Sequence, residues 1–245
     1  MSELGAIRIT PDMVLSRRVD FERRMRRFPP LTSALIAVLA TMFAAEVVFE
    51  ALDSPEAIVA AGALVRDEVE RGQLWRLVTA IFLHGGVDHL VSNAIGLFIL
   101  GMVCEHAWGR GQFFALFMTS GVAGSLLSMV LEPGPSVGAS GAIFGLQGAA
   151  IVLFRRHRER LLMRDRRVGF VLLIWALYSI ATGLASPLID NGAHIGGAIA
   201  GALVARRLHP VVLDPMPEET AERVRRWVWV WGVVLVLSAV GWAFR

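Results

Sequence analysis

Residues 137–154 read VGASGAIFGLQGAAIVLF. The turn-forming run EPGPS stands just before, and nothing charged follows until Arg155. This is the pattern of a membrane helix with a hydroxyl, Ser140, placed between two glycines at its start. Serine within a membrane helix ordinarily bonds back to the helix backbone and needs no further role. At the first turn, among residues with almost no side chain, its hydroxyl is left accessible.

The rest of the chain has the same character. Of 245 residues 55% are hydrophobic and only 18% charged, against roughly 25% charged in a soluble domain. Seven apolar stretches approach the length of about 20 residues needed to cross the hydrocarbon slab: 31–50, 89–108, 112–131, 138–154, 168–186, 191–205 and 227–244. The chain is therefore expected to be an all-α polytopic membrane protein. Its orientation follows from arginine, since all 24 basic residues are Arg. Seven lie in residues 1–30, seven in 155–167 and five in 206–226, whereas LEPGPS and ASPLIDN carry none. The positive-inside rule places the three Arg-rich segments in the cytoplasm, and seven spans then put the C-terminus outside. Beside membrane spans such clusters serve topology and contact with anionic lipid, so no nucleic-acid partner is expected.

The expected organisation is a cytoplasmic N-terminal arm (1–30), a six-span block (31–208), a cytoplasmic linker with three prolines (209–226) and a seventh transmembrane helix (227–245). No apolar core of signal-peptide length occurs in the arm, so no cleaved signal is expected. The stretch 51–88 mixes charge with short apolar runs and should lie in the outer interface. Trp227, Trp229 and Trp231 at one end of the last span and Trp242 near the other fit interfacial aromatic belts. Cys104 is the single cysteine and reads as a small buried apolar residue.

Polar groups inside membrane spans mark candidate functional sites. The second stretch opens with HGGVDHLVSNAIG, giving His84, His89 and Asn93, the fourth with Ser140, and the sixth with NGAHIGG, giving His194. Counted back from the inner Arg clusters at about 1.5 Å per residue, Asn93, Ser140 and His194 come to one level, roughly 18–25 Å above the cytoplasmic boundary. Gly141 and Gly145 on one helix and Gly197 and Gly201 on the other form small faces that let backbones approach closely in lipid. Such an approach would bring a histidine within reach of the Ser140 hydroxyl, as a nucleophilic serine requires. Unpaired backbone N–H groups at the helix start, with His89 and Asn93 one turn apart, supply donors for an oxyanion. His84 and His89 are five residues apart and no HExxH or Cys cluster accompanies them, so neither metal nor cofactor is expected. Polar groups near the midplane also mark ion paths, which keeps a transporter or channel as the alternative from another class, although no inverted repeat is visible.

With Trp75–Arg76, the His84, His89, Asn93 spacing, EHAWG (Glu105, Gly109), GASG (Gly138, Ser140, Gly141) and AHIGG (His194, Gly197, Gly201) in one order, the chain resembles the rhomboid family of intramembrane serine proteases over residues 75–201. The resemblance implies a six-helix catalytic core, here with a seventh C-terminal helix, and transmembrane proteins as substrates. It implies a Ser140–His194 dyad without a carboxylate, and an oxyanion hole made by His89, Asn93 and the Ser140 N–H. In the family a tyrosine four residues after the serine often packs on the catalytic histidine, and Phe144 holds that place. Trp75 and Arg76 are expected to anchor the outer loop, Glu105 to brace helices at the inner end, and His84 to be structural. An inactive relative that only binds clients is the alternative within the family. A bacterial inner membrane is the expected location.

Overall fold

The computed structural model describes residues 19–25, 27–132, 134–161, 167–186 and 189–244. Most of the expected cytoplasmic arm (1–18 and 26) and part of the Arg-rich inner loop (162–166) lie outside the described residues. The described elements are α1 (Phe21–Arg24), α2 (Pro30–Val48), α3 (Pro55–Ala61), α4 (Arg66–Glu70), α5 (Arg76–Thr79), a 3-10 turn (Ala80–Phe82), α6 (Val87–Leu131), α7 (Ser140–Arg156), α8 (Val168–Gly183), α9 (Asn191–Ala205) and α10 (Glu218–Ala243). Among the described residues there is no strand, and the only sheet-like contacts are two isolated bridges, Val19 with Leu161 and Leu64 with Ser136.

Local sequence explains the boundaries. Pro30 and Pro55 open α2 and α3, where a missing N–H costs nothing. Gly109 interrupts α6 with φ 76° and ψ 165°, a conformation that L side chains resist. The residues before and at the start of α6 line the same cavity as those just after its end, so the chain reverses direction at Gly109. α10 begins at Glu218, ahead of the apolar stretch that starts at Trp227. Glu218 and Glu219 in its first turn complement the helix dipole, and Arg225 pairs with Glu218 at 3.3 Å.

α7 is the centre of the molecule, with twelve of its seventeen residues buried. α9 lies against it at backbone distance. A methyl group at Gly197 would land on the Gly141 carbonyl oxygen, one at Gly201 on that of Gly145, and one at Gly148 on that of Ala198. On its other side α9 meets the second half of α6, where a methyl at Gly124 would come within 2.8 Å of the Ala193 carbonyl oxygen. Lipid tails are as apolar as leucine, so helices in a membrane associate through such close packing. α2 docks on the first half of α6, where Thr32 fills the space beside Gly101. Pro29 offers α2 no side-chain cap, and Glu105 supplies one from α6: its carboxylate accepts from the N–H of Leu31 (3.0 Å), the N–H of Thr32 (2.8 Å) and the Thr32 hydroxyl (2.8 Å).

The outward faces are apolar. Val38 and Val47 on α2, Phe170, Ile174 and Leu177 on α8, and Trp229, Val236 and Leu237 on α10 are exposed. A belt of this extent on several helices is what lipid covers. Pro30–Val48, Val87–Leu131 and Glu218–Ala243 are each long and apolar enough to cross a bilayer.

The glycine contacts generate the first prediction. Overpacking a core commonly costs about 1–3 kcal/mol when side chains can shift, but the neighbour of Gly197 is backbone. Gly197→Leu should therefore lower the thermal unfolding midpoint in detergent sharply, whereas Gly232→Leu, where nothing lies within 4 Å, should leave it in place.

Candidate active site

The first turn of α7 is presented by the loop 134–139, and that loop is tied down from three sides. Leu64 and Ser136 exchange two backbone hydrogen bonds (2.9 and 3.0 Å), and the Gly138 N–H donates to the Ala80 carbonyl at 2.8 Å. The Ser136 hydroxyl donates to the Asp190 carboxylate, which also accepts from the Ser128 hydroxyl and, at 2.7 Å, from the Ala193 N–H. Asp190 is thus the N-cap of α9 and at the same time the knot between α6, the 134–139 loop and α9.

Gly138 has φ 125°, and a Cβ there would lie 2.7 Å from both Cε1 and Nε2 of His89 and 3.6 Å from Nδ2 of Asn93. Only glycine lets the loop come down onto these two side chains. The Gly85 N–H approaches Nδ1 of His89 at 3.4 Å, which makes Nδ1 the acceptor and leaves the proton on Nε2. Nε2–H of His89 and Nδ2 of Asn93 are then two donors lying beside the loop two residues ahead of Ser140. Nδ2 of Asn93 is buried without a hydrogen-bond partner. A buried donor left unpaired costs about 1–3 kcal/mol, so its position favours any acceptor brought to it. Ala139, the N-cap of α7, makes no side-chain cap bond, and the first N–H groups of that helix have no partner within the helix.

His194 enters from the first turn of α9. Its ring stacks on Phe144 with centroids 4.0 Å apart and planes at 12°, and its Nδ1 is buried without a partner. Ser140, His194, His89 and Asn93 all line one cavity of about 920 Å³. No hydrogen bond joins Ser140 to His194 among the described residues. Trp175, Ser179 and Thr182, spaced on one face of α8, form the opposite wall. Polar groups on several sides make this a cavity that water can fill.

The remaining sequence candidates lie around this centre. Gly141, Gly197 and Gly201 form the α7–α9 contact, and Glu105 caps α2 away from the cavity. Arg76 is buried, its guanidinium 4.6 Å above the Trp75 ring and donating to the carbonyls of Val59 (2.6 Å) and Ala63 (2.7 Å). Arg76 therefore ties the outer loop internally instead of facing lipid headgroups. His84 is fully buried, edge-on to His89 at 5.2 Å, and its backbone N–H donates to the Glu46 carboxylate at 3.0 Å. Burial, and then the neighbouring His89, hold the His84 pKa down to about 4, so it is neutral at pH 7 and places no cation beside His89. Sequence reading missed Asp190, Ser136 and Glu46. Asp190 had a local signal, a capping residue directly ahead of the His194 helix; the other two pair across long sequence separations that leave none.

Comparison with known proteins bears on this geometry. A family model described as the Rhomboid domain matches residues 71–211. The chain is 36% identical over 180 residues to Rhomboid protease GluP of Bacillus subtilis (strain 168), covering 74% of this chain and 35% of that protein. It is 40% identical over 144 residues to RHOMBOID-like protein 5 of Arabidopsis thaliana, covering 57% and 46%. With Rhomboid protease AarA of Providencia stuartii it shares 30% identity over 200 residues, 71% of each chain. The chain thus spans about a third to a half of the length of GluP and RHOMBOID-like protein 5 and most of AarA.

Proposed function

Because this chain belongs to the rhomboid family, a family of integral membrane proteins that includes serine proteases, we propose that it is an active intramembrane serine endopeptidase. The observation that carries this reading is the convergence, on one wet cavity, of a helix-start hydroxyl (Ser140), a buried imidazole with a free nitrogen (His194) and two donors (His89 Nε2, Asn93 Nδ2). In the proposed reaction the Ser140 hydroxyl attacks the scissile carbonyl while His194 takes its proton. The resulting oxyanion accepts from the Ser140 N–H, His89 and Asn93. His194 returns the proton to the leaving amine, and a water molecule then releases the acyl group by the same steps in reverse order of roles. Phe144 holds the imidazole plane by stacking, in place of a carboxylate.

The proposed arrangement is a six-span catalytic core with α10 as a seventh span, the N-terminus in the cytoplasm and the C-terminus outside, in a bacterial inner membrane. Transmembrane proteins are the proposed substrates, reaching the cavity sideways past α8. That helix is fastened at its inner half, where the Gln147 side-chain amide donates to the Leu172 carbonyl at 2.9 Å, while the outer part carrying Trp175, Ser179 and Thr182 borders the cavity.

Three outcomes test the reading. Reporter fusions at residue 160 and after Arg245 should fall on opposite sides of the membrane; both on one side would remove α10 from the spans. Asn93→Ala should lower kcat by about 10²-fold, the lower end for a lost oxyanion donor because two others remain, and unchanged turnover in a folded variant excludes Asn93 from that role. In proteoliposomes, a test substrate with Gly or Pro near the outer end of its span, and a small residue such as Ala before the cut, should be cleaved by wild type and not by Ser140→Ala. A helix in lipid resists unwinding because each exposed amide costs several kcal/mol. Replacing the substrate's Gly and Pro with Leu should therefore suppress cleavage, and a cut mapped to the cytoplasmic side would sink the mechanism.

A further inference from the structure

The last turn of α10 does something that an interfacial belt does not require. A tryptophan at a membrane boundary satisfies its N–H with water or headgroups. Trp242 instead donates its Nε1–H to the carbonyl of Ala61 at 2.7 Å. Ala61 is the final residue of α3, so its carbonyl is one of the acceptors a helix end leaves unpaired. One residue earlier, Gly241 receives the edge of Trp75: a methyl at Gly241 would lie 2.8 Å from Cδ1 of that ring. The other side of Trp75 meets Gly62, whose φ is 123°, and the Arg76 guanidinium sits over its face. Arg76 in turn holds the Ala63 carbonyl. The end of α10 therefore grips residues 61–76 by a hydrogen bond and a close ring contact, and the Arg76–Trp75 stack braces that segment from within.

That same segment holds the loop carrying the nucleophile. Leu64, three residues beyond Ala61, forms the two-bond bridge with Ser136, and Ala80, directly after α5, accepts from Gly138. Those three bonds fix the chain at two points, four and two residues before Ser140. At its other end α10 is footed on α6, where Val224 packs against Gly111 (2.7 Å to a Cβ placed there). The helix thus bridges the inner turn of α6 and the outer loop without lining the cavity.

We propose that Trp242 and Gly241 are positioning residues for Ser140: the seventh helix sets the height of the 61–80 segment and, through the Leu64–Ser136 and Ala80–Gly138 bonds, the register of the nucleophile loop. The catalytic consequence rests on the peptidase reading above; the structural coupling does not. The variants are Trp242→Phe, which keeps a ring and removes the donor, and Gly241→Ala, which drives a methyl into Trp75. Trp229→Phe, on an exposed face of the same helix, is the control. Each is made in the full chain, in detergent and in proteoliposomes.

Hydrogen exchange of the amides in 134–140 reads the coupling directly. Both variants should speed it by about two- to tenfold, the scale of one net hydrogen bond, and the control should not. The fluorophosphonate labelling rate of Ser140 and kcat should fall by a similar factor, with KM and the thermal midpoint close to wild type. Unchanged exchange in 134–140 for both variants overturns the proposal, as does a loss that merely tracks a lowered midpoint. If wild type is labelled no faster than Ser140→Ala, it is the peptidase reading that fails, and the exchange data still decide whether α10 positions the loop.

Discussion

The contact between α7 and α9 is the constraint on which the rest depends. Two helices meet with carbonyl oxygens where side chains would otherwise be, and each glycine in the seam is answered by backbone across it. This proximity brings a histidine on one helix and a hydroxyl on the other to a common cavity without a long side chain to span the gap. It also fixes the neighbours. The second half of α6 must lie close on the far side of α9, Asp190 must stand where both α6 and the 134–139 loop can reach it, and Phe144 must face the His194 ring. A membrane protein gains little by burying apolar groups away from lipid, so shape fit at this seam stands in for what a hydrophobic core does in water.

Around the seam the polar groups are unevenly satisfied. Asp190 and Glu105 accept three hydrogen bonds each, and both brace helix N-termini. Asn93 and His194 each keep a buried nitrogen without a partner. The two carboxylates that brace helix ends are well paired, whereas these two cavity-lining residues are not. Among the described residues His84, Ser120 and Asn191 also hold buried polar atoms without a partner, but of these residues only Asn93 and His194 line the cavity, where an incoming acceptor or donor can meet them.

Much of this was legible before any coordinates. Apolar run lengths located the long helices, the gap between the stretches 89–108 and 112–131 holds Gly109, where α6 breaks, and Asn93, Ser140 and His194, singled out as polar groups in three stretches, line one cavity. What escaped was of two kinds. Long-range pairings such as Glu105 with Thr32, Glu46 with His84 and Leu64 with Ser136 join residues whose separation carries no periodic signal. The start of α10 at Glu218 escaped because an apolar window cannot register a charged first turn that capping and a dipole make helical. The apolar pattern reports what faces lipid, and it is silent on how polar residues find one another inside.

The lengths of the helices near the site have a consequence for the surrounding bilayer. α7, α8 and α9 have 17, 16 and 15 residues, or about 26, 24 and 22 Å of rise, against a hydrocarbon slab of roughly 30 Å. α2, with 19 residues, comes to about 28 Å. The helices bordering the cavity are therefore shorter than α2, which docks away from it. Lipid beside a helix as short as α8 would compress to match it, at a cost of fractions of a kcal/mol per Å. For a transmembrane client of the proposed peptidase, a span of ordinary length beside α8 would carry a surplus turn with no hydrocarbon to cover it, and its outermost peptide groups would hydrate before any contact with Ser140.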